Sequence, residues 1–373
     1  MPGFVDCHAH AAQYSFVGTG SDQPLMSWLK RYTFPTESRF SRDQGFANQV
    51  YSRCVARTLK NGTTTICYYA TIDRESTMLL VDAVARTGQR AYIGKVNMDQ
   101  NGGAGYVEER QASINDTEKF IQDVLALENP LITPCVTPRF AVSCSMELMT
   151  SLAHLARQYN LPIQTHVSEN LDEVRFVKKL FPHCQSYTQV YQAAGLLGRK
   201  TLLAHGIHLT DAELDLIKQT GSGICHCPNS NTSLSSGQLN IRRVTERGIK
   251  IGLSTDFAGG HSTSMLDAIR RGTGAANLTG PAHDPGGEAN DVTYKDLFRM
   301  ATLGSSEVMG LDDKLGNFEV GKEFDALVID PEVHNSPFDI FNTDSLEDII
   351  QKFIFIGDDR NIVSVYVAGV KVI

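Results

Sequence analysis

A chain of 373 residues, 42% hydrophobic and 20% charged, can form one large domain, or one domain with a small appendage. Its net charge of −8 gives no support for a polyanion-binding surface, so nucleic acid is not an expected partner. There is no apolar run of bilayer-spanning length and no cationic-then-apolar opening, so no membrane association is expected. The eight cysteines are scattered, many inside apolar runs, and read as reduced, mostly buried thiols of a cytoplasmic protein.

Along the chain, short β-branched runs alternate with amphipathic stretches, the pattern of a parallel sheet covered by helices. Strands are predicted over 4–10, 63–69, 91–98, 131–137, 162–167, 201–206, 222–227 and 249–255. Between them, residues 45–60 place Phe46, Val50, Val55 and Leu59 on one helical side. Residues 74–88 do the same with Leu79, Leu80, Val84 and Ala85, and 145–159 with Leu148, Leu152 and Leu155. Asn115-Asp116-Thr117-Glu118 and Thr210-Asp211-Ala212-Glu213 have the form of capped helix starts. Gly102-Gly103-Ala104-Gly105 makes neither a Walker nor a Rossmann fingerprint and reads as a loop, as does 280–291. Eight strands and seven crossovers in about 250 residues is the arithmetic of an α/β (β/α)8 TIM barrel, although periodicity alone is equally compatible with an open doubly wound sheet. Beyond 310 come short strands with turn residues and no crossover helices, hence a small separate β unit. The expected division is a barrel over 1–312 and a β domain over 313–373.

The chemistry is concentrated at predicted strand ends, where a barrel carries its catalytic groups. His8 and His10, one residue apart on a strand, point to the same face and can grip one ion. The fifth strand ends in His166, followed by Glu169; the sixth ends in His205 and the eighth in Asp256. Each alone is more often a satisfied core or loop polar residue. Five falling together at strand ends make a metal constellation. Imidazoles and a carboxylate suit Zn²⁺ or Fe²⁺ and leave a position for water, whose pKa zinc can lower to roughly 7. The fourth strand runs into Val136-Thr137-Pro138-Arg139-Phe140 and offers no lysine or glutamate to bridge a second ion, so one metal is expected. Cys225 and Cys227, which flank His226, read as core packing. The His-x-Glu and Pro-Cys-x-x-Cys pattern of the cytidine-deaminase zinc site does not occur.

These ligands stand among longer runs: Tyr32-Thr33-Phe34-Pro35, Lys60-Asn61-Gly62-Thr63-Thr64-Thr65, Val136 to Phe140, and His226-Cys227-Pro228-Asn229-Ser230-Asn231. Met265-Leu266-Asp267-Ala268-Ile269-Arg270-Arg271 and Gly316 to Ala326 continue the pattern. In all of them the chain resembles the metal-dependent amidohydrolase superfamily, mononuclear deaminase branch, and within it the guanine deaminases of the animal type. The resemblance implies that His8, His10, His166 and Asp256 hold Zn²⁺, or alternatively Fe²⁺, with His205 near the water or substrate. It implies that Asp256 takes a proton from the water, that hydroxide attacks C2 of guanine, and that Glu169 shuttles protons as xanthine and ammonia form. Gln13, Arg139, Phe140 and His205 match the substrate contacts, Arg and amide groups being suited to a purine's acceptor edge. The resemblance further implies a cytoplasmic homodimer.

Trp28 reads either as pocket lining or as packing, and Asp358-Asp359-Arg360 as part of the site region or as a surface turn. Alternative activities are deamination of another purine or a triazine, or an inactive or weakly active scaffold that binds protein. Family members carry several tens of residues ahead of His-x-His that add strands to the small domain. An alternative start or an incomplete gene model is therefore expected here, leaving the β-sandwich incomplete. Unpaired edges near 318–329 and 362–373, a fraying first strand and low stability or activity are the expected consequences.

Overall fold

A computed structural model describes residues 1–21, 23–279 and 292–373; the expected loop over 280–291 lies outside them. Eight parallel strands carry the architecture: β1 Phe4–His10, β2 Thr63–Tyr69, β3 Arg90–Gly94, β4 Ile132–Pro134, β5 Ile163–Val167, β6 Thr201–His205, β7 Gly223–His226 and β8 Lys250–Leu253. They pair as β1-β2-β3-β4 and as β5-β6-β7-β8. Two seams join the halves. At one, Val136 bridges Ile163 in parallel and the Gln164 amide donates to the Val136 carbonyl at 2.9 Å. At the other, the Asp256 amide donates to the His8 carbonyl at 3.1 Å and the His10 amide to the Phe257 carbonyl at 3.2 Å. The expected TIM barrel is therefore what forms, with strands buried on both faces, which is why they read as unbroken apolar runs.

The covering helices begin where the sequence supplies caps. Asp43 accepts from the Phe46 amide at 2.9 Å to start Gln44–Lys60, and Asp73 from the Ser76 amide at 2.7 Å to start Arg74–Thr87. Thr210 and Glu213 form the expected capping box. Asn115 to Glu118 do not start a helix. They lie inside Arg110–Leu125, which is capped by Glu109 accepting from the Ala112 amide at 2.9 Å. The Thr117 hydroxyl donates back to the Ser113 carbonyl at 2.7 Å, a mid-helix use of a residue that also suits caps.

The C-terminal sheet is antiparallel: β9 Ala326–Ile329, β10 Ile362–Val367 and β11 Val370–Lys371. The segment is not free of helix, contrary to expectation. Leu346–Ile356, started by a Ser345/Asp348 capping box, buries Phe353 and Ile354, and its Ile354 carbonyl accepts from Arg270 Nε at 2.7 Å. The β9 edge is also less open than expected. Met1 exchanges two 2.8 Å hydrogen bonds with Leu327, and the Gly3 amide donates to the Asp325 carbonyl at 3.0 Å. The start of β1 is thus tied to the small sheet rather than free. Arg90 strengthens the junction by donating to Glu323 at 2.6 Å and Asp325 at 3.2 Å. Phe318, Val320, Phe324, Val328, Val363 and Val370 nevertheless remain exposed.

Candidate active site

Strand order brings all five residues of the constellation to one mouth of the barrel. His8 Nε2 lies 3.1 Å and His10 Nε2 3.5 Å from Asp256 Oδ1, and the Nε2 atoms of His10 and His166 are 3.1 Å apart. The far side of two rings is already engaged: His8 Nδ1 by Gln164 Oε1, and His166 Nδ1 by the Arg139 carbonyl at 2.6 Å. Protons on those Nδ1 atoms leave Nε2 lone pairs aimed at a common centre. Such convergence is repulsive unless a cation lies between the nitrogens, so the donor set fits a metal ion. His8, His10 and His166 present ligand atoms within 4.8 Å of one another; so do His8, His205, Asp256 and Cys227. Cys227 donates its thiol to the Cys225 carbonyl at 3.3 Å, and Cys225 to the Cys7 carbonyl at 3.4 Å; Cys225 packs in the core as expected, whereas the Cys227 sulfur also lies among the candidate ligand atoms.

Backbone geometry at the mouth is unusual. Ser168, His205 and Asp256 all have positive φ, at 49°, 73° and 44°. Left-handed backbone costs about 1–2 kcal/mol for a residue with a Cβ, and the surrounding hydrogen bonds hold it in place. Close packing extends to Gly259, where a Cβ would fall 2.5 Å from Ser230 Oγ and 3.1 Å from Asp256 Oδ2.

Electrostatics separate the two carboxylates. Burial pushes Asp256 up, but His8, 3.1 Å from Oδ1, outweighs it and holds the group well below the usual carboxylate range. Burial, reinforced by Glu173 and Asp256, raises Glu169 well above that range. Burial lowers His10 and His166 far below a free imidazole and His205 to about 4, so all three are neutral at pH 7. Glu169 Oε2 is 3.5 Å from His205 Nε2, which is itself 3.7 Å from Asp256 Oδ2.

Beside this centre a pocket is lined by Gln13, Trp28, Arg139, Phe140, Glu169 and His205 together with His10, His166 and Asp256. Gln13, Arg139, Phe140 and Trp28 are each at most 5% exposed, and Trp28 Nε1 has no hydrogen-bond partner. Trp28 therefore lines the pocket. Asp358-Asp359-Arg360 is a surface turn: Arg360 pairs with Asp358 at 2.6 Å and Asp359 with Arg57 at 3.0 Å.

Four supporting residues escaped sequence reasoning. Gln164 holds His8; Asn231 Oδ1 holds His205 Nδ1 at 2.9 Å; Glu173 accepts the Glu169 amide at 2.9 Å and the Tyr187 hydroxyl at 2.7 Å. The fourth, Glu37, receives Arg139 at 2.8 and 3.2 Å. Asn231 falls in the quoted His226–Asn231 run, and Glu37 lies two residues past Tyr32–Pro35, so proximity to those motifs was the available signal.

The profile of the amidohydrolase family matches residues 1–372. The guanine deaminase of Dictyostelium discoideum is 49% identical over 375 residues, covering 100% of this chain and 82% of that protein. The Homo sapiens guanine deaminase is 50% identical over 380 residues with the same coverage. Among solved structures, guanine deaminase from C. acetobutylicum with guanine bound in its active site aligns with a TM-score of 0.92 at 37% identity, over 100% of this chain and 86% of that one. E. coli guanine deaminase aligns at 0.90 with 32% identity, over 99% and 83%. A barrel with this strand-end constellation and these relatives belongs to the amidohydrolase family and, within it, to the guanine deaminases.

Proposed function

We propose that this chain hydrolyses guanine to xanthine and ammonia. The observation that carries the reading is the convergence of three imidazoles and Asp256 beside a buried wall of Arg139 and Gln13. His8, His10, His166 and Asp256 hold one divalent ion, zinc being the choice favoured by a nitrogen-rich set, with ferrous iron the alternative. When bound, that ion supplies a water acidified to a pKa of about 7, hence a nucleophile at neutral pH.

The chain's own groups then divide the work. Asp256, held ionised by its contact with His8, accepts a proton from the attacking water. Glu169, its carboxyl raised by burial, donates to a ring nitrogen as attack at C2 proceeds; on collapse it recovers a proton from the new C2 hydroxyl while the proton held by Asp256 leaves with the amine. His205 donates Nδ1–H to Asn231, so its Nε2 lone pair faces Glu169 and the substrate, and orients both. Arg139 donates to the purine's acceptor edge, Gln13 supplies an amide beside it, and Phe140 closes the wall. One water enters and one ammonia leaves, with no redox change. In this reading residues 1–312 are the catalytic unit and 313–373 the small β unit.

A cytoplasmic setting is supported by eight cysteines that are all free thiols, and assembly as a homodimer by the family resemblance. Among the described residues no helix is long and apolar enough to cross a membrane. A panel of guanine, adenine, adenosine and 8-oxoguanine, read by ammonia release, tests the assignment. Turnover of guanine far above the others is expected; preference for adenosine would replace it with another amidohydrolase activity.

A further inference from the structure

Glu37 has no task in the chemistry above, yet it is 1% exposed and sits against Arg139 and Gln13, which line the substrate pocket. It ends the short helix Phe34–Glu37 that follows β1, distant in sequence from the residues it touches. Oε2 accepts from Arg139 Nη1 at 2.8 Å; Oε1 accepts from Arg139 Nη2 at 3.2 Å and from Gln13 Nε2 at 3.0 Å. Gln13 Oε1 in turn accepts from the Ala258 amide at 3.3 Å, so both ends of that amide are assigned. Two-point pairing fixes the plane of the guanidinium, which also lies 5.4 Å from the centre of the Phe34 ring. Burial alone would lower Arg139, but Glu37 more than offsets it; the two-point contact is that of a guanidinium with a carboxylate, whose charges oppose.

We propose that Glu37 is a positioning residue for substrate choice: it locks Arg139 and Gln13 into one purine-reading template and cancels the guanidinium charge, so the wall favours a neutral oxopurine over an anionic one. This rests on the guanine reading above. It also bears on product release. Xanthine has two lactam carbonyls and loses a ring proton more readily than guanine does. Against a neutral pair its anion gains no charge contact; against an unmatched buried Arg139 it would be retained.

The test compares the metal-loaded full chain with its Glu37→Gln and Glu37→Asp variants at mildly alkaline pH, where part of the xanthine is anionic. Glu37→Gln removes the charge, and we expect KM for guanine to rise about tenfold or more with kcat within about threefold, a loss of binding rather than of chemistry. Xanthine affinity, read by calorimetry, should rise at least about fivefold as the uncompensated guanidinium meets the anion. Glu37→Asp keeps the charge but shortens the reach, so KM should still rise while xanthine affinity does not rise above the wild-type value. Unchanged KM and xanthine affinity in Glu37→Gln would overturn the proposal, as would a fall in kcat at constant KM. Should that variant not fold, wild-type KM in Glu37→Asp overturns it instead. Xanthine binding needs no turnover, so a wild-type chain that leaves guanine intact refutes the functional reading while the charge claim is still answered.

Discussion

At the barrel mouth, most polar groups of the site have a second residue holding them: Gln164 behind His8, the Arg139 carbonyl behind His166, Asn231 behind His205, Glu37 behind Arg139. In the C-terminal segment, Val328 and Val370 of the sheet and Val320 in the turn ahead of it are exposed to solvent. Both regions are built from short strands. The difference is that the mouth is over-determined by long-range polar contacts, which lets it hold positive-φ backbone and buried charges, whereas the sheet buries Leu327, Ile362, Val365 and Val367 in the core and leaves its other side to solvent. Substitutions should therefore act through chemistry in one region and through association in the other.

The largest effect is expected at the metal-facing carboxylate. Asp256→Asn should remove both bound metal and turnover, measured by elemental analysis alongside the guanine assay; full metal content with full activity would break the assignment. Glu169→Gln comes next, with turnover reduced by roughly 10²–10⁴-fold, the range of general acid–base contributions, at unchanged metal content. Near-normal turnover would remove Glu169 from the mechanism.

A third test uses the neutral buried imidazoles. His205 is lowered to about 4 and His226 to about 3, against about 6.5 in the unfolded chain. The folded state resists protons that the unfolded state binds. Stability of the metal-free protein is therefore fully present above about pH 6.5 and falls as pH drops toward 4, by up to about 1 kcal/mol per pH unit for each group. Glu169 is shifted the opposite way in the same window, so the imidazole contribution is read as the difference between denaturant melts of the wild type and of His226→Gln from pH 7 to 4.5; a difference that does not change with pH would contradict the burial argument. The smallest effect belongs to the exposed turn ahead of the C-terminal sheet. Val320→Thr, at a fully exposed position, should change stability by no more than about 0.5 kcal/mol and leave kcat/KM intact, while lowering concentration-dependent scattering.

Much of this was legible in advance. The barrel strands announce themselves because they are buried on both faces and so are apolar without interruption, and the ligands because strand ends are where a barrel places them. What escaped was of two kinds. Glu37 and Gln164 act through partners more than 100 residues away, and nothing local marks a Glu in a short helix as the mate of Arg139. Helix boundaries depended on which of several cap-like residues won: Glu109 rather than Asn115, and Ser345 in a segment read as strands and turns alone. The β9 edge was misjudged because residues 1–3 were considered only as the lead-in to β1, not as a partner for Leu327.

The most direct test of the account is elemental analysis of the purified chain combined with a timed guanine-to-xanthine assay on the same sample. One zinc or iron per chain, with xanthine and ammonia formed in equal amounts and lost on chelation, is the predicted result. A chain that holds its metal yet leaves guanine unchanged, or that deaminates guanine equally well after the metal is stripped, would contradict it.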